Sequence, residues 1–173
     1  MAMFAMSEAL MIIFKGKDPS KATKSISLSE LGSIRLDKEE RNKMLKTIPR
    51  SSVIGFLIGV LPGAGATIAS FLAYGMERNF VSKEEKEKFG KGSVHGLAAP
   101  ETANNAACSG AFVPLLTLGI PGSGTTAVML GALLAFGIQP GPRLYMTNPE
   151  VFWSVIMSMY IGMVILLILN LPL

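Results

Sequence analysis

The length of the charge-free segments constrains this chain more than any other feature. No charged side chain occurs from Thr102 to Pro142, and none occurs from Val151 to Leu173. Long stretches with few or no charges are typical of membrane-embedded helices, whereas a soluble core uses shorter periodic runs. Half of the 173 residues are hydrophobic and only 16% are charged. The sequence therefore predicts an all-α, polytopic membrane protein.

Polar connections divide the chain into four apolar segments. We expect residues 1–14 to be the end of a truncated helix. Residues 15–52 are predicted to be a basic cytoplasmic loop with an interfacial helix over Lys38–Lys46, which Pro49 ends. Residues 53–173 should form the membrane domain. Its predicted parts are a re-entrant hairpin (53–76), a polar connection (77–101), a broken helix or hairpin (102–142) and a spanning helix (151–173).

The charge distribution predicts the orientation of these segments. Between Lys15 and Arg50 there are ten Lys/Arg against five Asp/Glu, and five more basic residues lie between Arg78 and Lys91. These charges lack interleaved aromatic residues and are flanked by apolar runs, so a cytoplasmic loop is favoured over a nucleic-acid-binding surface. A hairpin at 53–76 would return both basic flanks to the cytoplasm. A discontinuous spanning helix is the alternative.

Two successive apolar segments are interrupted by Pro-Gly-small-Gly, at Pro62–Gly65 and at Pro121–Gly124. Paired interruptions of this kind indicate the midplane binding site of a transporter. Unwinding a helix in the membrane leaves backbone groups without partners, and a substrate can supply them. The free N–H groups at the start of each second half-helix favour an anion. At the second break we expect a left-handed or strained backbone around Gly122 and Gly124.

The substrate-binding candidates are the residues of the two breaks and the hydroxyls beside them. They are Pro62, Gly63, Gly65, Thr67, Gly119, Pro121, Gly122, Ser123, Gly124 and Thr125. The alternative is that each break is only a kink, with its backbone groups satisfied by neighbouring helices and its hydroxyls acting as caps.

Glu101, Asn104 and Asn105 are the candidates for ion coupling. Their side-chain oxygens, with carbonyls of a broken helix, could form a site for Na⁺ or a relay for H⁺. The two adjacent amides cannot share one helical face, so at least one needs a partner away from lipid. The alternative for Glu101 is that its carboxylate complements the dipole at a helix start.

Other motifs give weaker signals. His95 is a lone histidine in a Gly-rich turn without other metal ligands beside it, so a zinc site is not expected. The run Gly119–Thr126 partly imitates a phosphate-binding loop, but Thr125 stands where that loop needs lysine. Gly55, Gly59 and Gly63 form a small-xxx-small ladder, which predicts close helix packing. Because the sequence contains no Ser/His/Asp or Cys/His arrangement, we do not expect an enzyme or a cofactor.

With these motifs the sequence resembles the large membrane subunit of the tripartite tricarboxylate transporter family. The matching stretches follow one another in order across most of 50–142. They are Gly59–Gly65, Tyr74-Gly75, Phe89-Gly90, Ala99-Pro100-Glu101-x-x-Asn104-Asn105-Ala106, Pro114–Gly131 and Pro140-Gly141-Pro142.

The resemblance implies a multi-pass permease of the bacterial inner membrane that takes up small carboxylates, driven by an ion gradient. Its partners would be a small membrane subunit and a periplasmic substrate-binding protein. It also implies a subunit of two inverted, related halves, of which this chain would supply the central loop and much of the second half. The alternative from another class is a non-transporting membrane scaffold with kinked helices.

Overall fold

A computed structural model describes residues 37–170 together with Met6, Leu10 and Met11. Most of the predicted truncated helix (1–14) and the loop up to residue 36 therefore lie outside the described residues. The described part is helical and contains no strand, which confirms the predicted α class. Its helices are α1 (Lys38–Val60), α2 (Gly65–Phe80), α3 (Lys83–Glu87), α4 (Val94–Gly110), α5 (Phe112–Leu118), α6 (Gly124–Ala135), α7 (Leu144–Thr147) and α8 (Pro149–Asn170).

Helix α1 is continuous across Pro49, so the prediction that Pro49 ends the first helix is wrong. A proline inside a helix removes one hydrogen bond and costs about 3 kcal/mol. Packing offsets this cost, because Ser51, Gly55 and Gly59 all lie beyond Pro49 and are buried. The sequence rule fails here because tertiary contacts hold the helix on both sides of the proline.

Helices α1, α2 and α4 pack on one another along a shared seam of small residues. A Cβ added at Gly55 would lie 2.6 Å from Ala103 Cα, and one added at Gly59 would lie 2.6 Å from Ala107 Cα. The constant offset shows that α1 and α4 run parallel. The backbones approach too closely for any side chain, so glycine is required on α1.

Helix α2 runs antiparallel to α1 and α4. Its Ala69 and Ala73 are fully buried against Ala103 and Ala107 of α4. Each helix contributes a row of residues four apart, which places the row on one face. The rows are Thr47-Ser51-Gly55-Gly59 on α1, Ala69-Ala73-Glu77 on α2 and His95-Ala99-Ala103-Ala107 on α4. Small side chains thus let three helices meet, and the rows also carry Thr47, Glu77 and His95 inward.

Helix α4 begins earlier than the sequence predicted. The Ser93 hydroxyl accepts a hydrogen bond from the Gly96 N–H and caps the helix, which then continues past Pro100. Glu101 is therefore in the middle of α4, and the prediction that it lies at a helix start is wrong. Helix α3 is also capped at its start, since the Glu85 N–H donates to Ser82 Oγ.

Helix α8 is the one helix in the described residues that is long and apolar enough to cross a bilayer. None of its residues is buried within the chain, and Trp153 is well exposed. A helix that is apolar all round and has no polar face suits a lipid or protein environment rather than water.

Candidate functional site

The first break lies at the tip of a helical hairpin. Helix α1 ends at Val60, and the chain turns through 61–64 before α2 begins at Gly65. Gly63 and Gly65 have φ angles of 81° and 69°, a left-handed backbone that glycine adopts more readily than other residues. Nothing lies within 4 Å of a Cβ built at either glycine. The constraint at this tip is therefore conformational, and Pro62 and Gly63 are exposed.

The second break has its left-handed residue in a different place. Gly119 ends α5 with φ 72°, and a Cβ there would lie 2.7 Å from the Pro140 carbonyl oxygen. Gly122 and Gly124 do not have positive φ, so the expectation of a left-handed backbone at these two glycines is wrong. The turn is made upstream of Pro121, where the N–H groups of Gly119 and Ile120 still reach carbonyls of α5.

The structure brings the second break beside the end of α1. Gly122 is buried, and a Cβ on it would lie 3.0 Å from Ala111 Cβ and 3.3 Å from the Gly59 carbonyl oxygen. Gly59 lies in the last turn of α1, three residues before Pro62 of the first break. The second break thus packs beside the helix end that leads into the first break.

Capping engages most of the polar groups around Ser123. Ser123 Oγ accepts from the Thr126 N–H at 3.3 Å, while Thr126 Oγ1 accepts from the Ser123 N–H at 2.8 Å. The Ala127 N–H donates to the Ser123 carbonyl. The first N–H groups of a helix have no partner within it, so those of Gly124 and Thr125 remain to bind something outside α6. Both residues are exposed.

Thr67 and Asn104 line one cleft of about 470 Å³ between α2 and α4. Asn104 Nδ2 donates to Ser70 Oγ at 3.4 Å, and the Ser70 hydroxyl reaches the Pro100 carbonyl at 3.2 Å. The cleft therefore joins a substrate candidate of the first break to an ion-coupling candidate. Its lining consists of Thr67, Ser70, Phe71, Tyr74, Gly96, Pro100 and Asn104. Ser70 and Tyr74 were missed by the sequence analysis.

Glu101 and Asn105 are not brought into this cleft. Both are exposed, and Asn105 Nδ2 donates to the Glu101 carbonyl one turn back on the same helix. Asn104 is the amide that reaches another helix, in agreement with the argument that the two amides cannot share one face. Within the described residues no group of His, Cys, Asp and Glu could hold a metal ion.

A buried polar cluster was also missed by sequence reasoning. Glu77, Thr47 and His95 lie at the end of the three small-residue rows and are only 1%, 0% and 8% exposed. From the sequence, His95 was considered only as a zinc ligand, and Glu77 was not singled out. The four-residue spacing of glycine and alanine along each helix could have revealed the cluster, because the same spacing extends to these three residues.

An ion-pair network lies outside this cluster. Lys43 Nζ lies 2.7 Å from Glu39 and 3.1 Å from Glu85, and Lys88 Nζ lies 2.8 Å from the same Glu85 oxygen. Hydrogen bonds from Lys88 and then Lys43 lower the pKa of Glu85. The hydrogen bonds that Lys43 itself makes to Glu39 and Glu85 raise the pKa of Lys43. The network links α1 to the segment after α2.

Similarity to known proteins identifies the family of the chain. The model of the "Tripartite tricarboxylate transporter TctA family" matches residues 1–173, the whole chain. The chain belongs to this family. The resemblance inferred from the helix breaks is thereby confirmed, and TctA proteins are components of a transport system rather than enzymes.

Two relatives of this TctA chain come from Agrobacterium vitis. An uncharacterized 52.8 kDa protein in the TAR-I ttuC' 3' region is 40% identical over 153 residues, which cover 88% of this chain and 30% of that protein. An uncharacterized protein in the TAR-II ttuC' 3' region is 51% identical over 119 residues, or 69% of this chain and 48% of the relative. The chain thus spans less than half the length of either relative. No solved structure matches it.

Proposed function

We propose that this chain is part of the permease subunit of a secondary transporter that takes up small carboxylates such as tricarboxylates. The permease would work in the bacterial inner membrane with a periplasmic binding protein and a small membrane subunit, and would use an ion gradient. Membership of the TctA family supports the transport role. The substrate class and partners follow from the family description and from the chemistry of the breaks.

The observation that carries the proposal is the packing of the second break against the last turn of α1, which leads into the first break. Gly122 packs against the Gly59 carbonyl, next to the first break, and the start of α6 offers the N–H groups of Gly124 and Thr125. The positive end of a helix dipole and unpaired N–H groups attract a carboxylate. Because α6 is apolar and uncharged, an anion there would meet no repelling side chain on this helix.

Gly124→Val in the full-length protein tests this site. Nothing lies within 4 Å of a Cβ at Gly124, so the larger side chain fits without a clash. It would nevertheless cover the N–H groups proposed to meet the substrate, and we expect uptake of a labelled tricarboxylate to be lost. Gly131→Val, on the same helix and equally open, is the matched control and should transport normally. Normal uptake by Gly124→Val would show that the start of α6 does not bind substrate.

We also propose that α1 and α2 form a re-entrant hairpin, with the tip at 61–64 inside the membrane and both bases on the cytoplasmic side. The antiparallel packing of the two helices supports this arrangement, because Thr47 and Glu77 lie side by side, 30 residues apart. Basic residues flank both bases, as the positive-inside rule requires.

Cysteine labelling in intact cells tests the hairpin. Lys46→Cys and Ser82→Cys are exposed positions on the two bases, and both should react only with reagent admitted to the cytoplasm. Cys108 is exposed and must first be replaced to remove the background. Labelling of the two positions from opposite sides would instead establish a discontinuous spanning helix.

A further inference from the structure

The polar cluster of Thr47, Glu77 and His95 at the base of the hairpin has more hydrogen-bonding groups than helix packing requires. Thr47 Oγ1 lies 2.9 Å from Glu77 Oε1 and 2.6 Å from His95 Nδ1. The Glu77 and His95 atoms are 3.3 Å apart. One residue comes from each of α1, α2 and α4, so the cluster joins all three helices at the end of their small-residue rows. All three side chains are buried.

A hydroxyl between a carboxylate and an imidazole can donate its hydrogen bond to either neighbour and accept one from the other, so the chain of hydrogen bonds can run in either direction. A threonine hydroxyl has one donor and two acceptor sites and rotates to suit its neighbours. In one order, His95 Nδ1–H donates to Thr47 and the Thr47 hydroxyl donates to an ionised Glu77. In the other order, a protonated Glu77 donates to Thr47, which donates to the unprotonated Nδ1 of His95.

These two orders differ by one proton when His95 is neutral in both. The first has its imidazole proton on Nδ1 and none on the carboxyl. The second has a proton on the Glu77 carboxyl and the imidazole proton on Nε2. The same heavy-atom positions satisfy both, so the cluster can take up or release a proton without breaking a hydrogen bond. A buried carboxylate without such a relay would lose a partner in one of its two states.

The charged surroundings give proton binding a structural consequence. The groups that face the Glu77 carboxylate are Arg50 on α1, with Nη1 3.6 Å from Oε2, and His95 on α4. The Arg50 guanidinium also lies over the Phe80 ring at 4.5 Å. The next charges outward, Lys43 and Glu85, are paired with each other. Protonation of Glu77 would remove the ion pair that ties α1 to α2 at the base of the hairpin.

A second buried hydroxyl lies one turn further along α1. Ser51 is fully buried, and its Oγ has no hydrogen-bond partner among the described residues. Buried polar groups are nearly always paired, so an unpaired hydroxyl in this row requires an explanation. Its position between Thr47 and Gly55 extends the polar part of the seam toward the breaks.

We propose that Glu77, Thr47 and His95 form a buried proton-binding site. On the proposed transport function, which this step presupposes, the site couples proton movement to the helix hairpin that carries the first break. Buried ionisable groups that are hydrogen-bonded in a chain can pass protons between them. This site is separate from Glu101, Asn104 and Asn105, the ion-coupling candidates that the sequence suggested.

Infrared difference spectroscopy between high and low pH tests proton binding without any substrate. In the full-length protein in lipid, we expect a protonated-carboxyl band that disappears in Glu77→Gln, where the amide keeps the shape of the side chain and can still hydrogen-bond to Thr47 but cannot bind a proton. Glu85→Gln is the matched control, since Glu85 lies outside the cluster, and it should keep the band. Identical spectra for the wild type and Glu77→Gln would show that Glu77 binds no proton. If Glu77→Gln does not fold, Glu77→Asp takes its place, and the frequency of the protonated-carboxyl band must then differ from that of the wild type.

Thr47 variants separate the relay from simple helix packing. Thr47→Val has the same shape but no hydroxyl, so the pH at which the Glu77 band appears should shift. Thr47→Ser keeps a hydroxyl and should restore the wild-type pH. A structural role alone predicts lower thermal stability for Thr47→Val with an unchanged band. That result would exclude Thr47 as a relay.

Transport measurements test the coupling. In proteoliposomes that contain the full transporter, Glu77→Gln should lose accumulation of citrate driven by a pH gradient but keep citrate counterflow, which needs no net proton movement. Gradient-driven accumulation at the wild-type level would overturn the coupling. If the wild type itself shows no citrate counterflow, the proposed function is wrong for this substrate, while the infrared result still decides whether the site binds a proton.

Discussion

The two helix breaks share the letters Pro-Gly-x-Gly but are constrained in different ways. At the first break, Gly63 and Gly65 have positive φ and open space around them. At the second break, Gly122 has an ordinary φ and is tightly packed against Ala111 and the end of α1. Glycine is thus needed for backbone conformation at one break and for space at the other.

The helices on either side of the breaks differ as well. Helices α1 and α2 pack along each other, whereas α5 and α6 make far fewer mutual contacts. The first break is therefore a hairpin tip whose position is fixed by the rest of the hairpin. The second break is fixed locally, through Gly122 and through the approach of Gly119 to Pro140. The same motif can therefore serve as an exposed turn or as a packing contact.

Gly122→Val should have the largest effect of the substitutions that test this difference. A Cβ is already 3.0 Å from Ala111 Cβ, and valine adds two methyl groups. Overpacking of this kind costs about 1–3 kcal/mol, and we expect a lower melting temperature together with loss of tricarboxylate uptake. Thermal unfolding of the full-length protein in detergent and uptake in vesicles measure the two effects.

A second substitution checks that space is the cause. Ala111→Gly removes the methyl group that the new side chain meets, so the double variant should recover part of the stability lost in Gly122→Val. No recovery would mean that the second break is constrained by conformation, as the first is, and the contrast between them would disappear.

Gly63→Ala should have an intermediate effect of a different origin. The methyl group meets nothing within 4 Å, but an L-residue at φ 81° is strained by about 1–2 kcal/mol. Gly63→Asn should be milder, because asparagine tolerates the left-handed region better than alanine. Comparison of their melting temperatures decides the point. Equal destabilisation by Ala and Asn would indicate a steric constraint at the tip instead.

Gly124→Ala should have the smallest effect on stability. Gly124 is the first residue of α6, does not have positive φ, and has open space around it. Replacing such a glycine reduces the freedom of the unfolded chain and stabilises by about 0.4–1 kcal/mol. The melting temperature should be unchanged or slightly raised, as in the control Gly131→Ala. A clear drop would show that Gly124 shares the packing constraint of Gly122.

Much of the local structure could be predicted from residues alone. The helical class and the break at Pro62–Gly65 both follow from the chemistry of neighbouring residues. The close packing predicted for the glycine ladder is confirmed at Gly55 and Gly59 but not at Gly63, where an added Cβ would meet nothing within 4 Å. The ladder instead continues backward to Ser51 and Thr47.

The candidate site was predicted less well, because its parts lie far apart in the sequence. Asn104 was singled out for its position in an apolar segment, but its partner Ser70 lies on another helix. Glu101 was assigned to a helix start, where a carboxylate complements the dipole, but α4 begins at Val94 and passes through Glu101. Whether these residues bind substrate or an ion stays a prediction.

The sequence by itself determined which segments carry no charge and where glycine and proline permit a bend, because those properties depend on the residues within a short segment. Only the tertiary structure decided which residues each helix break contacts. The rows on α1, α2 and α4 bring Thr47, Glu77 and His95 together, and Gly122 reaches Gly59, through contacts between distant segments. Such contacts depend on the register and direction of packed helices, which no local pattern in a single sequence specifies.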